Sequence, residues 1–162
     1  MKKKIQKFRE RKGMTVMELI VYLAITMIIS VLIIELTSRM LQVKVQSVGS
    51  SEVTANAILL LDRLTYEMAN SSLATGEYPG NSITLIVNGQ PVTFELNNGQ
   101  IFYQSVALTN NLVEISPFAD GTYIFNQLIN GSSQSIQVKF KVKYKDSNFS
   151  RDYQTTFLIS GK

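Results

Sequence analysis

Hydrophobic and polar positions divide the chain into stretches of different period. Residues 14–34 form a run of 21 with a single charge, Glu18, and neither proline nor glycine. As a helix such a run covers about 31 Å, close to the hydrocarbon thickness of a bilayer, so it is predicted to span a membrane. From Leu19 onward its only polar side chains are Tyr22, Thr26 and Ser30, too few for the polar face of a soluble core helix. A cleaved secretory signal has a shorter apolar region ending at a small-x-small site, whereas this run passes into more helix-compatible sequence. Farther on, Ala57, Leu61, Leu64 and Met68 recur at amphipathic-helix spacing, with Asp62, Arg63 and Glu67 on other faces. No proline interrupts residues 14–72. The pattern predicts one helix of roughly 55–60 residues, with Gly49-Ser50-Ser51 as a place to bend or fray.

From residue 73 the period drops to two. Ile83, Leu85 and Val87 alternate, then Val92, Phe94 and Leu96, and Asn88-Gly89 and Asn97-Asn98-Gly99 are hairpin turn signals. Further strand-like runs fall at 101–103, 112–115, 122–129 and 155–159. Ile136, Val138, Phe140, Val142 and Tyr144 alternate with Gln137, Lys139, Lys141, Lys143 and Lys145. An antiparallel sheet with one apolar face needs a cover, and the amphipathic part of the helix supplies it. The expected fold class is α+β: a long N-terminal α-helix, membrane-spanning in its first half and amphipathic in its second, packed on an antiparallel β-sheet.

Charge then separates the N-terminus from everything else. Of the overall +4, residues 1–13 contribute a net +6, seven cations against Glu10 alone, so the rest of the chain carries −2. With only Arg39 and Lys44 soon after the apolar run, the positive-inside rule places the N-terminus in the cytoplasm and the C-terminal domain outside the cell membrane. The organisation expected is a basic leader at 1–13, a transmembrane helix at 14–34, an extracytoplasmic amphipathic half of the same helix at 35–72, and a β-rich globular domain at 73–162.

The junction Lys12-Gly13-Met14-Thr15-Val16-Met17-Glu18 resembles the processing site of type IV pilins and pseudopilins. The resemblance implies cleavage of the leader after Gly13 by a prepilin peptidase and N-methylation of Met14. Glu18 then becomes the fifth mature residue, the glutamate this family uses in assembly. Met14 stands where phenylalanine is more frequent, and the proline common in the membrane half of pilin helices is absent. A carboxylate at a bilayer centre costs about 2.5–3.5 kcal/mol, less near the interface, so a partner for Glu18 would matter. The amine of Met14 on a neighbouring subunit is one such partner; the simpler alternative is that Glu18 snorkels to the cytoplasmic interface. The runs Leu61-Asp62-Arg63-Leu64, Val92-Thr93-Phe94-Glu95-Leu96, Asn98-Gly99-Gln100-Ile101 and Leu108-Thr109 look similar to minor pilins of the PilW type and J-class pseudopilins of type II secretion. Implied partners are other pilins or pseudopilins, the prepilin peptidase, an inner-membrane assembly platform, and membrane lipid before assembly. The implied destination is a filament or the cell surface.

Alternate strand residues share a face, so Lys139, Lys141, Lys143 and Lys145 are expected to line up about 7 Å apart. Such a row could meet nucleic-acid phosphates, as in a DNA-uptake pilus, or present a docking face to an exported substrate. A solvated face, or an edge strand guarded by lysine, is the plainer reading, because no aromatics are interleaved on that face. Glu114, Asp120, Asp146 and Asp152 lack the spacing of a calcium loop, and no metal or cofactor is expected. There is no cysteine and no histidine, so no nucleophile, base and orienting group can be assembled in the usual way, and an enzyme is not expected.

Overall fold

The first helix, α1 (Val16–Ala69), starts at a reciprocal cap. The Glu18 backbone N–H donates to Thr15 Oγ1 at 3.3 Å, and the Thr15 N–H donates to Glu18 Oε2 at 3.4 Å. Two of the donors that a helix start leaves unpaired are thereby satisfied. The computed structural model describes residues 15–118, 121–130 and 133–159. The chain divides into two compact units, Met1–Gln42 and Val43–Lys162.

In the first unit every described side chain is exposed. The apolar segment has a mean hydropathy of 2.7 over its best window and none of that window is buried, unlike the core helix of a soluble protein. Its two aliphatic hydroxyls are satisfied along the helix itself: Thr26 donates to the Tyr22 carbonyl at 2.7 Å and Ser30 to the Thr26 carbonyl at 2.8 Å. Such back-bonding leaves these hydroxyls no polar demand on the surroundings, which suits a hydrocarbon environment. The helix is long and apolar enough to cross a membrane. Glu35 and Arg39 end the apolar run with an exposed i,i+4 ion pair at 2.6 Å.

In the second unit, α1 buries Val53, Ala57, Leu60, Leu64 and Met68. Ala57, Leu64 and Met68 of the expected stripe are buried, and at the remaining position Leu60 takes the central seat while Leu61 is only partly buried. The helix ends at Ala69, where the Asn70 side chain donates to the Tyr66 carbonyl and the Ser71 hydroxyl to the Met68 carbonyl. Ser71 therefore opens a strand two residues before the expected change of period.

Two antiparallel sheets follow where the sequence suggested one. The first is a meander of β1 (Ser71–Thr75), β2 (Ser82–Val87), β3 (Gln90–Asn97), β4 (Gln100–Tyr103) and β5 (Val106–Ala107), in that spatial order. Asn88-Gly89 and Asn98-Gly99 make its tight turns with positive φ at both residues, 51° and 75°, then 49° and 75°. That pairing of asparagine with glycine tolerates the left-handed conformation such hairpins need.

The second sheet is built around β8 (Ser133–Tyr144). Both β6 (Val113–Ser116) and β7 (Phe125–Asn130) pair with β8, β6 along 141–144 and β7 along 133–138, so they occupy one edge end to end. The other edge is covered by β9 (Ser150–Ile159), paired along 134–143. Ile83, Leu85, Phe94 and Ile101 of the first sheet and Ile115, Phe125, Ile136, Val138 and Phe140 of the second belong to one core with the helix row. β7 begins at Phe125, three residues later than expected, because 122–124 are held by Asn81. Its amide donates to the Thr122 carbonyl at 3.3 Å and its carbonyl accepts from Ile124 N–H at 3.2 Å.

The segment joining the sheets is fastened to the helix. Asn110 N–H donates to Asn56 Oδ1 and Asn110 Nδ2 donates to Glu52 Oε2, both at 2.9 Å, and Thr109 Oγ1 accepts from Ile101 N–H at 3.1 Å. Gly49 stands within the unbroken helix. It lets Tyr144 approach: a Cβ there would lie 3.0 Å from Tyr144 Cδ1 and 3.2 Å from Ser147 Oγ. Gly49→Val is therefore expected to lower stability by about 1–3 kcal/mol through overpacking, read by chemical denaturation. An unchanged midpoint would mean that the tyrosine ring swings aside.

Burial also pushes the Tyr78 phenol from 10.0 up to about 12, and its hydroxyl has no hydrogen-bond partner among the described residues. Folding favours the neutral form, so this contribution to stability is complete below pH 10 and is lost as pH rises toward 12. Thermal melts across that window should show the decline, and Tyr78→Phe, which cannot ionise, should make it shallower.

Candidate functional site

Gly13 and Met14, the expected processing site, lie outside the described residues, as do the rest of the basic leader and Asp120. Glu18 lies just beyond, at the third position of α1, with its carboxylate folded back toward Thr15. This gives it a local task that sequence reading did not anticipate, although Thr15-Val16-Met17-Glu18 carries the capping-box pattern. One oxygen engages the Thr15 N–H, which leaves the carboxylate capacity to accept further donors.

The lysine row is placed in a central strand. Lys139, Lys141 and Lys143 lie on β8, while Lys145 falls in the turn beyond its end. Edge protection therefore does not explain them, since β8 is paired on both sides. Their cross-strand neighbours temper the charge: Lys141 faces Asp152, with Nζ 3.6 Å from its carboxylate, and Lys143 faces Glu114. Directly opposed residues in an antiparallel pair share a face. The surface is thus an alternation of both signs rather than a continuous cationic strip. Lys139 stands apart, opposite Gln154 and beside the connection that carries Phe118 and Tyr123.

A third cluster joins residues 40 positions apart in sequence. Arg63 Nη2 lies 2.7 Å from Glu67 Oε1 and donates to the Tyr103 hydroxyl at 2.5 Å, and that hydroxyl donates to Glu67 Oε1 at 2.8 Å. The guanidinium carbon also sits 4.3 Å from the centre of the Tyr103 ring. The Tyr103 hydrogen bond is the main cause raising the Arg63 pKa, with Glu67 assisting against burial. Arg63 is thus a fixed cation across ordinary pH. Sequence reading placed Arg63 and Glu67 on outward faces; Glu67 is instead only 3% exposed, and β4 supplies the tyrosine that makes its burial tolerable. The i,i+4 spacing of Arg63 and Glu67 was the available signal, but Tyr103 could not be foreseen.

Among the described residues no group of three or more acidic, histidine or cysteine side chains is placed to hold a metal ion. Through Nη2 the Arg63 cluster keys the helix to β4, while the buried Arg63 Nε has no hydrogen-bond partner among the described residues. No family model matches the chain, and no curated protein or solved structure is a match for it.

Arg63→Met is expected to destabilise the fold by about 2–4 kcal/mol in denaturant titrations, because it strands a buried carboxylate with one donor. Adding Glu67→Met should recover part of that loss. A double variant as unstable as the sum of the two singles would show that the pair acts independently.

Proposed function

We propose that the chain is a minor pilin or pseudopilin, a structural subunit of a type IV pilus-like or type II secretion filament. The observation that carries this reading is the junction at Gly13: a basic leader, glycine, an apolar first residue and a glutamate at the fifth following position, directly ahead of an apolar helix long enough to cross a membrane. The α+β architecture, with one long N-terminal helix on antiparallel sheets, is compatible with it. In this reading the cytoplasmic leader is removed after Gly13, Met14 is N-methylated, and the helix is drawn from the membrane into a filament of other pilins or pseudopilins by an assembly platform. The Glu18 carboxylate then meets the cationic amine of Met14 on a neighbour, where low polarity makes an unpaired charge costly.

The alternative is a pilus-tip subunit that binds DNA or an exported substrate through the lysine row. The acidic neighbours Asp152 and Glu114 count against a phosphate-tracking surface, because they offset the cations that would release counterions. No enzymatic role is proposed.

Mass spectrometry of the mature protein should find residues 1–13 gone and Met14 methylated; an intact leader, or a cut beyond residue 30, would overturn the proposal. Glu18 allows a finer test. Glutamine can serve in a capping box as glutamate does, yet it carries no charge. Glu18→Gln should therefore insert and keep its helix start but fail to enter filaments in a pull-down or assembly assay. Normal incorporation would reduce Glu18 to a helix cap.

A further inference from the structure

The outer face of the second sheet carries an open cleft of about 340 Å³ beside the lysine row. It is bordered by Phe118 and Tyr123 from the β6–β7 connection, Asn126 of β7, and Gln137 and Lys139 of β8. That volume is at the lower end for small-ligand sites. Tyr123 is 47% exposed although its neighbours Ile124 and Phe125 are buried, so the backbone around it is anchored while its ring faces out.

The anchoring is specific. Gly80 and Phe125 exchange two backbone hydrogen bonds at 2.9 Å, and Lys139 N–H donates to the Ile124 carbonyl at 2.9 Å. Asn81 grips both Thr122 and Ile124 through its side-chain amide. Asn126 and Gln137 are directly opposed across the ladder, so their amides share the outer face. Tyr123 and Asn126 are exposed and Gln137 is half-buried, so these polar groups are open to an incoming ligand.

We propose that this cleft is a sugar-binding subsite, in which a hexose ring of a glycan lies against Tyr123 and Phe118 while Asn126, Gln137 and Lys139 hydrogen-bond its hydroxyls. The chemistry favours that class. A pyranose has one face of C–H groups that suits the negative face of an aromatic ring. Its rim of hydroxyls both donates and accepts, matching side-chain amides, which do the same. A nucleic acid fits less well, because past Lys139 the face alternates lysine with Asp152 and Glu114. The ring and amides sit on a pinned connection and a central ladder, so little ordering entropy is lost on binding. The site stands on its own residues and does not depend on filament assembly.

The test is titration of the full chain, in micelles of a phosphocholine detergent that carries no sugar, with neutral trisaccharides of glucose and of N-acetylglucosamine, followed by NMR. At least one is expected to bind and to shift Tyr123 ring and Asn126 or Gln137 amide signals, with little change between low and high salt. Tyr123→Ala should weaken binding by about tenfold and Tyr123→Phe by no more than about twofold, since stacking belongs to the ring. Absence of binding by either trisaccharide at about 50 mM, a Kd well beyond the millimolar range of weak ligands, overturns the proposal. So does binding unchanged in Tyr123→Ala, or binding confined to single-stranded DNA or acidic glycans and abolished by salt.

Discussion

The row Val53, Ala57, Leu60, Leu64 and Met68 is the surface on which the C-terminal unit is organised. Each of the two sheets has an apolar face and neither could shield it alone; the helix row is common ground for both. Its central members Leu60 and Leu64 are 1% and 0% exposed, and full burial of such a side chain stabilises by about 1.5–3 kcal/mol. Directional contacts then fix where each sheet lies along the helix. Arg63 and Glu67 hold Tyr103 of the first sheet, and Gly49 admits Tyr144 of the second. Between them Asn56 and Glu52 hold Asn110, on the segment that joins the sheets.

Polar groups follow one rule at both ends of α1. At its start, a threonine and a glutamate satisfy each other's backbone donors; along the apolar run, hydroxyls bond to carbonyls one turn back. In the second unit Thr65 and Asn70 still bond one turn back, while Glu52, Asn56, Arg63 and Glu67 also reach partners distant in sequence. A helix surrounded by hydrocarbon would have to meet its own needs, whereas one that meets a sheet can share them.

Much of this was legible in the sequence because it rests on local periodicity. The apolar run, the amphipathic stripe and the alternating strands are set by spacing alone, and the Asn-Gly turns by a conformational demand that few residue pairs meet. What escaped reading is non-local. That β6 and β7 share one side of β8 depends on a register that residue types do not encode, and so one sheet was expected where there are two. Gly49 looked like a weak point because glycine's commonest message in a helix is flexibility, while its use here depends on a tyrosine 95 positions away. Glu67 looked solvent-facing for the same reason: its partner Tyr103 lies on a strand whose placement no local pattern specifies. Lys139, Lys141 and Lys143 alternate along β8, but Lys145 falls in the turn beyond it and the acids opposite the row are supplied by other strands.

The end-to-end placing of β6 and β7 gives the fold an unusual freedom. β6 leaves the edge of β8 opposite Lys141 and β7 rejoins it opposite Val138, so the intervening chain departs from the sheet and returns to the same side. Its two ends are fixed close together by ladders that do not depend on what lies between them. Lengthening such an excursion costs little, because closure entropy grows only logarithmically with its length. The connection can thus be lengthened ahead of Thr122 while Ile124, a core residue, keeps its place. It is where a chain of this architecture can diversify its outward chemistry while keeping its frame.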